Sequence, residues 1–509
     1  MSSHPVRLTE DFQALLEILG RASDLSSAAS VLGWDQETYM PPGAAPGRAD
    51  QLATISRLAH ETFTQAQVGE LLARLADACQ DLPPDSFEAS LVRVTRREYQ
   101  RRIKVPPALA EELARARSVG PHEWAQARKA NDFSRFAPHL RRNIRLAREL
   151  ADCLGYPAHP YDALLDEYEP DLTVAEVRQL FAQLKDGLLP LLQAIRSRPP
   201  LDDGVLRGDF DERRQEELAV VVLKALGYDF QRGRLDRSAH PMTICSGPGD
   251  VRLTTRYDPR YLGESLFSTI HEAGHGLYDQ GIPEEFRRTP LFGGASMGVH
   301  ESQSRLWENV VGRSREFWSF LLPRARELFP EAFARVGVEE VYRAVNRVEP
   351  GEIRVDADEV TYNLHILLRF ELELELLEGQ LDVDDLPEAW NTRMERYLGV
   401  RPRNDARGVL QDIHWAQVDF GYFPTYTLGN VLAVQFFEQA LQENPGIPQA
   451  LAHGDFRPLL GWLRERIHRH GAKFTPGELV RRVTGGPMQV TPYLNYLRRK
   501  YGELYELGG

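Results

Sequence analysis

The chain has little cysteine, little lysine and no long apolar run. Cys79, Cys153 and Cys245 are its only cysteines, they lie far apart, and no Cys-x-x-Cys occurs. A disulfide framework and a cysteine zinc site are therefore not expected. No stretch approaches the roughly 18 apolar residues of a membrane span. The opening Met1-Ser2-Ser3-His4-Pro5-Val6-Arg7 lacks the apolar core of a secretion signal. A reducing cytoplasm is the expected location, with no membrane partner. Nor is there an excess of positive charge: the net charge of −13 argues against a general nucleic-acid binder, whose footprint is basic. Six lysines stand against 55 arginines, a bias that heat tolerance and a GC-rich genome produce alike. Internal repeats, low-complexity tracts and long linkers are also missing, so the 509 residues read as one large unit.

What is present is a soluble, globular composition, 42% hydrophobic and 27% charged, ample for a large core. Apolar residues at helical spacing predict helices at about 8–31, 48–63, 66–80, 86–102, 107–117, 134–154, 173–197 and 211–226. Pro41-Pro42-Gly43, Pro83-Pro84, Pro106-Pro107 and Pro199-Pro200 break the pattern between them. Residues 240–257 change character. His240 to Cys245 and Val251 to Tyr257 are short and rich in β-formers, with Ser246-Gly247-Pro248-Gly249-Asp250 as a turn. They predict a small hairpin or sheet, whose strand 250–257 can pair with an extended peptide. Helices resume at about 263–279, 297–313, 315–328, 339–346, 359–378, 385–397, 429–442 and 455–468.

The chain is organised around His271-Glu272-Ala273-Gly274-His275. Residues four apart share a helix face, so His271 and His275 can offer two imidazoles to one metal ion. Glu272 is turned roughly 100° around the axis, near the metal without being a ligand. Metal-assisted hydrolysis needs such a group to take a proton from the activated water. Gly281 sits where a C′ glycine belongs, with Pro283 as a stop beyond it. The third ligand is expected from Ser296-Met297-Gly298-Val299-His300-Glu301-Ser302-Gln303, which starts a helix after Gly293-Gly294. Glu301 lies 26 positions after His275, enough chain to return a second helix to the first. Two histidines, one glutamate and an open fourth position suit catalytic zinc. His300, Gln303 and Glu308 are candidates for hydrogen bonds to the ligands.

Two further stretches carry chemistry. Arg354 precedes an expected helix start, and its fork can take a substrate carboxylate bidentately or pair with Asp356 or Asp358 as a structural bridge. His414 and a tyrosine from Phe420-Gly421-Tyr422-Phe423-Pro424-Thr425-Tyr426 can donate to an oxyanion, or belong to the core.

These residues also carry a likeness. His271 to His275, His300 to Gln303, Asp250 to Thr254, Ile353 to Asp358 and Gly408 to Trp415 resemble the five signatures of the carboxypeptidase Taq family. Trp34-Asp35-Gln36-Glu37-Thr38-Tyr39-Met40-Pro41-Pro42 is similar to that family's N-terminal segment. The resemblance covers essentially the whole chain. It implies a mostly α, zincin-like metallopeptidase with a deep active-site cleft and a small sheet beside the zinc helix. It implies an N-terminal helical part (1–239) and a zinc-binding catalytic part (240–509). The implied activity is broad-specificity release of single C-terminal residues from peptides with a free C-terminus, by a cytosolic homodimer. The implied roles are His271, His275 and Glu301 as ligands of one zinc ion, for which cobalt or manganese can substitute, and Glu272 as general base. Arg354 becomes the favoured partner of the substrate carboxylate, and Asp250 and Arg252 come with it as substrate-binding residues. His414 becomes a transition-state donor. The family's architecture is similar to that of angiotensin-converting enzyme and the thimet-type oligopeptidases, where a tyrosine shortly after the corresponding histidine stabilises the oxyanion. Tyr422 and Tyr426 both fit, and Tyr426 is favoured because the helix expected from 429 starts just behind it. The nearer alternative is an endo-oligopeptidase or dipeptide-releasing enzyme on the same scaffold. The distant one is a helical binding scaffold without turnover, against which the intact Glu272 argues.

Overall fold

The structure, a computed structural model, describes residues 4–508, with side chains from residue 9 onward. Met1 to Ser3, part of the leader-free reading, and Gly509 lie outside them. The chain is mostly helical, and several helices start and stop where local chemistry dictates. Val174–Arg196 opens with a Thr173/Glu176 capping box and buries Val177, Phe181, Leu184, Leu188, Leu191 and Ile195 along one stripe. Glu212–Leu226 is capped by Asp211 and ended by Gly227 in the left-handed conformation.

Several elements differ from the sequence expectation. The first helix runs on to Thr38, and the helix expected to stop near 117 runs from Pro107 to Ala130, straight through Pro121. The helix expected over 297–313 is α-helical only to Arg305 and continues as a π-helix over Leu306–Val311. Helices at Pro476–Thr484 and Val490–Leu504 were not expected. Val490, Tyr493, Leu494, Leu497, Tyr501 and Leu504 have helical spacing once the tyrosines count as apolar. Gly281 is not a left-handed cap: it is the last residue of its helix, and a Cβ there would sit 2.4 Å from His468 Nδ1. Its smallness admits His468.

Two hydrophobic cores form, and each draws on residues either side of position 240. One gathers the first four helices, the helix carrying His271 and His275 (Leu262–Gly281, the ligand helix) and residues 432–483. The other gathers residues 109–201, 360–431 and the C-terminal helix. Helix Pro424–Glu443, the tyrosine helix, is shared: Leu428, Val431 and Val434 face the second core, Leu432, Ala433 and Phe436 the first. Against it lies Met297–Arg305, the return helix, which brings Glu301 back to the ligand helix.

The sheet has three strands in the order β1 (Gly233–Arg237), β3 (Val251–Thr255), β2 (Thr243–Cys245). β2 and β3 form the expected antiparallel hairpin, and β1 adds in parallel to β3. β1 was not foreseen, since Leu235 is its only apolar side chain. Because β3 is central, both its edges are occupied and it cannot pair with a peptide. The strand left with an outer edge on this side is β2.

Candidate active site

The ligand helix is buried on nearly all sides, so its two histidines are held by packing. Two glycines bring the third side chain to them. A Cβ on Gly274 would lie 2.4 Å from Ser304 Cα, so the return helix crosses the ligand helix backbone to backbone. A Cβ on Gly429 of the tyrosine helix would lie 2.4 Å from Glu301 Cγ. Ser296 caps the return helix through Val299 N at 3.0 Å. Glu301 Oε2 consequently lies 3.6 Å from His271 Nε2 and 3.4 Å from His275 Nε2. Tetrahedral ligands at 2.0–2.1 Å from zinc stand about 3.3–3.4 Å apart, so both edges fit one ion. All three ligand atoms lie within 4.8 Å of one another.

The outer ring nitrogens are already engaged, which leaves the Nε2 atoms for the metal. His271 Nδ1 is 2.9 Å from Glu308 Oε2. His275 Nδ1 is 2.6 Å from His300 Nδ1, and His300 Nε2 is 3.1 Å from Asp279 Oδ1. Burial alone would raise the carboxyl pKa of Glu301, but the Arg305 guanidinium and the two imidazoles hold it well below the usual range. Glu308 is likewise brought down to about 2, against its burial, by Arg305 and His271. His300 and Glu308 therefore stand where expected. Gln303 does not: its Oε1 faces His468 Nε2 at 3.0 Å. Arg305, whose Nε donates to Glu301 Oε1 at 2.6 Å, was missed, although a basic residue four places after Glu301 is a readable signal.

Glu272 is buried at the sheet side, with the Thr243 hydroxyl 2.6 Å from its Oε2. Thr243 lies opposite Leu253 in register, and Leu253 packs on the ligand helix at Gly276. Side chains alternate faces along a strand, so Arg252 points to the other face of the sheet. There Asp250 takes its Nε and Nη2 at 2.7 and 2.8 Å, and Trp34 covers its guanidinium at 4.3 Å. Asp250 and Arg252 are thus a mutual ion pair that latches the end of the first helix to the sheet.

Arg354 lies in a 3-10 turn, Arg354–Asp356, and is buried. It pairs with neither Asp356 nor Asp358. Asp358 caps the turn ahead of Tyr362, taking Thr361 Oγ1 at 2.8 Å. Arg354 Nε donates to Asp412 Oδ1 at 2.9 Å and Nη1 to the Tyr362 hydroxyl at 2.9 Å. Its backbone N–H donates to Gln411 at 2.8 Å. Asp412 also takes the Nε of fully buried Arg369, from helix Tyr362–Glu378, at 2.7 Å. Two guanidiniums on one carboxylate leave a net positive charge. Burial pushes the His414 pKa down to about 3, with Arg354 and Arg369 adding to the effect against Asp412, so the ring is neutral. His414 Nε2 is 3.0 Å from the Tyr426 hydroxyl, and its Nδ1 is buried without a partner among the described residues. The tyrosine helix starts at Pro424, so Tyr426 lies in its first turn, one turn before Gly429 and on the face that touches Glu301. Tyr422 stacks edge-on against it at 5.3 Å. Arg354 lies over the Tyr426 ring at 4.8 Å, while Arg305 lies over Tyr362 at 4.4 Å. Tyr362 thus touches both the cationic group, through its hydroxyl, and Arg305, the residue that binds Glu301, through its ring.

Such a fold and site define a helical metallopeptidase of the His-Glu-x-x-His kind. Residues 14–501 match the profile described as carboxypeptidase Taq (M32) metallopeptidase, and the chain belongs to that family. It is 46% identical over 506 residues to "Thermostable carboxypeptidase 1" of Thermus thermophilus, covering 97% of this chain and 99% of that one. It is 39% identical to "Carboxypeptidase 1" of Bacillus subtilis, over 96% and 98% of the two chains. The crystal structure of an M32 carboxypeptidase from Deinococcus radiodurans R1 superposes with a TM-score of 0.95 at 43% identity, over 98% of this chain and 100% of that one. The protein is accordingly a metallocarboxypeptidase, a hydrolase that needs a divalent metal. Among the described residues no helix is long and apolar enough to cross a membrane.

Proposed function

We propose that the protein removes single C-terminal amino acids, with broad specificity, from peptides with a free C-terminus. The observation that carries this is Arg354: a buried cation, held on Asp412 and Tyr362, whose Nη2 has no protein partner among the described residues. Tyr362 links it to Arg305 on Glu301, so a substrate carboxylate held there keeps the last peptide bond at the metal side. Zinc is the metal we infer, since two imidazoles and a carboxylate with tetrahedral edges suit it; cobalt or manganese can substitute. When bound, the ion supplies Lewis-acid chemistry, polarising the scissile carbonyl and making water a nucleophile near neutral pH.

The protein's own groups do the rest. Glu272, oriented by Thr243, takes the proton of the attacking water and returns it to the leaving amine. Neutral His414 and the Tyr426 phenol, whose pKa burial raises well above the ordinary value, donate hydrogen bonds to the oxyanion, with Tyr422 lining the same side. β2, which carries Thr243, is the edge that can hold the peptide backbone in register. Three unpaired cysteines accord with a reducing compartment, and we place the enzyme in the cytoplasm as a homodimer. The test is mass spectrometry of a peptide ladder digested by metal-loaded and chelated protein. One-residue steps that need the metal and stop on C-terminal amidation support the reading. Internal cuts or two-residue steps refute it.

A further inference from the structure

Beneath the segment that carries His414 and Tyr422 lies a carboxylate to which the chemistry above gives no part. Glu373, in helix Tyr362–Glu378, is fully buried and accepts from three donors. Its Oε2 takes the Tyr161 hydroxyl at 2.7 Å and the Gly421 backbone N–H at 3.2 Å. Its Oε1 takes the Trp415 indole N–H at 2.9 Å. Trp415 directly follows His414, and Gly421 directly precedes Tyr422. One carboxylate therefore ties down both ends of the loop that runs from His414 to Tyr422.

The loop needs holding. Val418 at its centre has φ 62°, a left-handed conformation that a β-branched residue rarely adopts. Gly421 has φ 90°, and a Cβ there would lie 2.8 Å from the carbonyl carbon of Leu164. A backbone in these regions persists only where its surroundings over-determine it. Asn143 adds a hold from another helix, Nδ2 donating to Trp415 O at 2.8 Å.

We propose that Glu373 is a positioning residue for catalysis: it fixes the 414–422 loop so that His414, with Tyr426, meets the developing oxyanion. This rests on the reading of His414 given above. The test is Glu373→Gln in the full-length, metal-loaded enzyme. The amide oxygen can keep Tyr161 and Gly421, which turns the amide NH2 toward the Trp415 N–H, donor against donor. The clash falls on the residue next to His414. A misplacement of about 1 Å at a reacting group costs on the order of a hundredfold, so kcat should fall roughly ten- to hundredfold, with KM and metal content unchanged. Adding Trp415→Phe removes the opposing donor, and the double variant should recover most of the lost kcat. Rates are taken well below the melting temperature of each variant. A Glu373→Gln enzyme with wild-type kcat overturns the proposal. So does a loss that the double variant fails to recover, because a merely structural role would track stability. His414→Ala separates this from the reading beneath it. If His414→Ala turns over normally, that reading fails and Glu373 has nothing to position. If His414→Ala is slow while Glu373→Gln is normal, only the Glu373 proposal falls.

Discussion

Replacing Arg354 by alanine tests the exopeptidase reading most directly. The side chain spends Nε on Asp412 and Nη1 on Tyr362, which leaves the Nη2 edge for a substrate carboxylate. A hydrogen bond to a charged group contributes about 1.5–3 kcal/mol, which is roughly 10- to 160-fold in kcat/KM. Arg354→Ala also strips one of the two guanidiniums from Asp412, a carboxyl held far below its usual pKa range, against burial, by Arg369 and Arg354. Arg369 remains, so the fold survives with a lower Tm. Two effects are therefore superimposed, and the substrate separates them. On a peptide with a free C-terminus the variant should lose at least tenfold in kcat/KM while keeping its metal. On the same peptide amidated, followed at high enzyme concentration, it should lose much less, because no carboxylate bond exists to be lost. Arg354→Lys should recover only part of the loss, since an ammonium cannot make the planar two-bond fork. An equal loss on acid and amide peptides, or none on the acid, refutes the argument and leaves Arg354 as a strut for Asp412.

Glu272→Gln should abolish turnover with metal retained, whereas alanine at His271, His275 or Glu301 should remove metal and activity together; metal analysis beside a single-turnover assay distinguishes them. Gly274→Ala places a methyl 2.4 Å from Ser304 Cα, so it should weaken metal affinity by at least tenfold although it touches no ligand; a competition titration with a chromogenic chelator reads this, and native affinity would show that the helix crossing tolerates the methyl. Glu169 is buried against the start of the return helix, accepting from Gly298 N–H, and burial pushes its pKa up to about 8. With a folded pKa above the ordinary value of about 4.3, its contribution to stability is complete at low pH and is lost as pH rises toward 8. Glu169→Gln should then gain Tm over the natural chain at pH 8.5 relative to pH 5.5, and parallel melting curves at the two pH values would contradict this.

The local features of the site were written in the chain. His271 and His275 four apart, Glu272 beside them and a helix start after Gly293-Gly294 follow from local pattern alone, as did the hairpin at 243–255. What could not be read there was which groups meet across the fold. Arg354 offered Asp356 and Asp358 as neighbours in sequence, yet its partner is Asp412, 58 positions on, because the turn before Tyr362 and the segment 409–415 pack into the same core. Strand alternation was legible, but not the face that would meet the ligand helix: Thr243 lies on it beside Glu272, and Arg252 lies on the opposite face under Trp34. β1, with one apolar residue, became a strand only because β3 offered it an edge. Periodicity and capping act over a few residues, and so the sequence determined the ligand pair and its helix. Glu301's approach through Gly274 and Gly429, Arg354's grip on Asp412 and the hold of Glu373 on the 414–422 loop depend on close packing between distant segments, which only the tertiary structure decided.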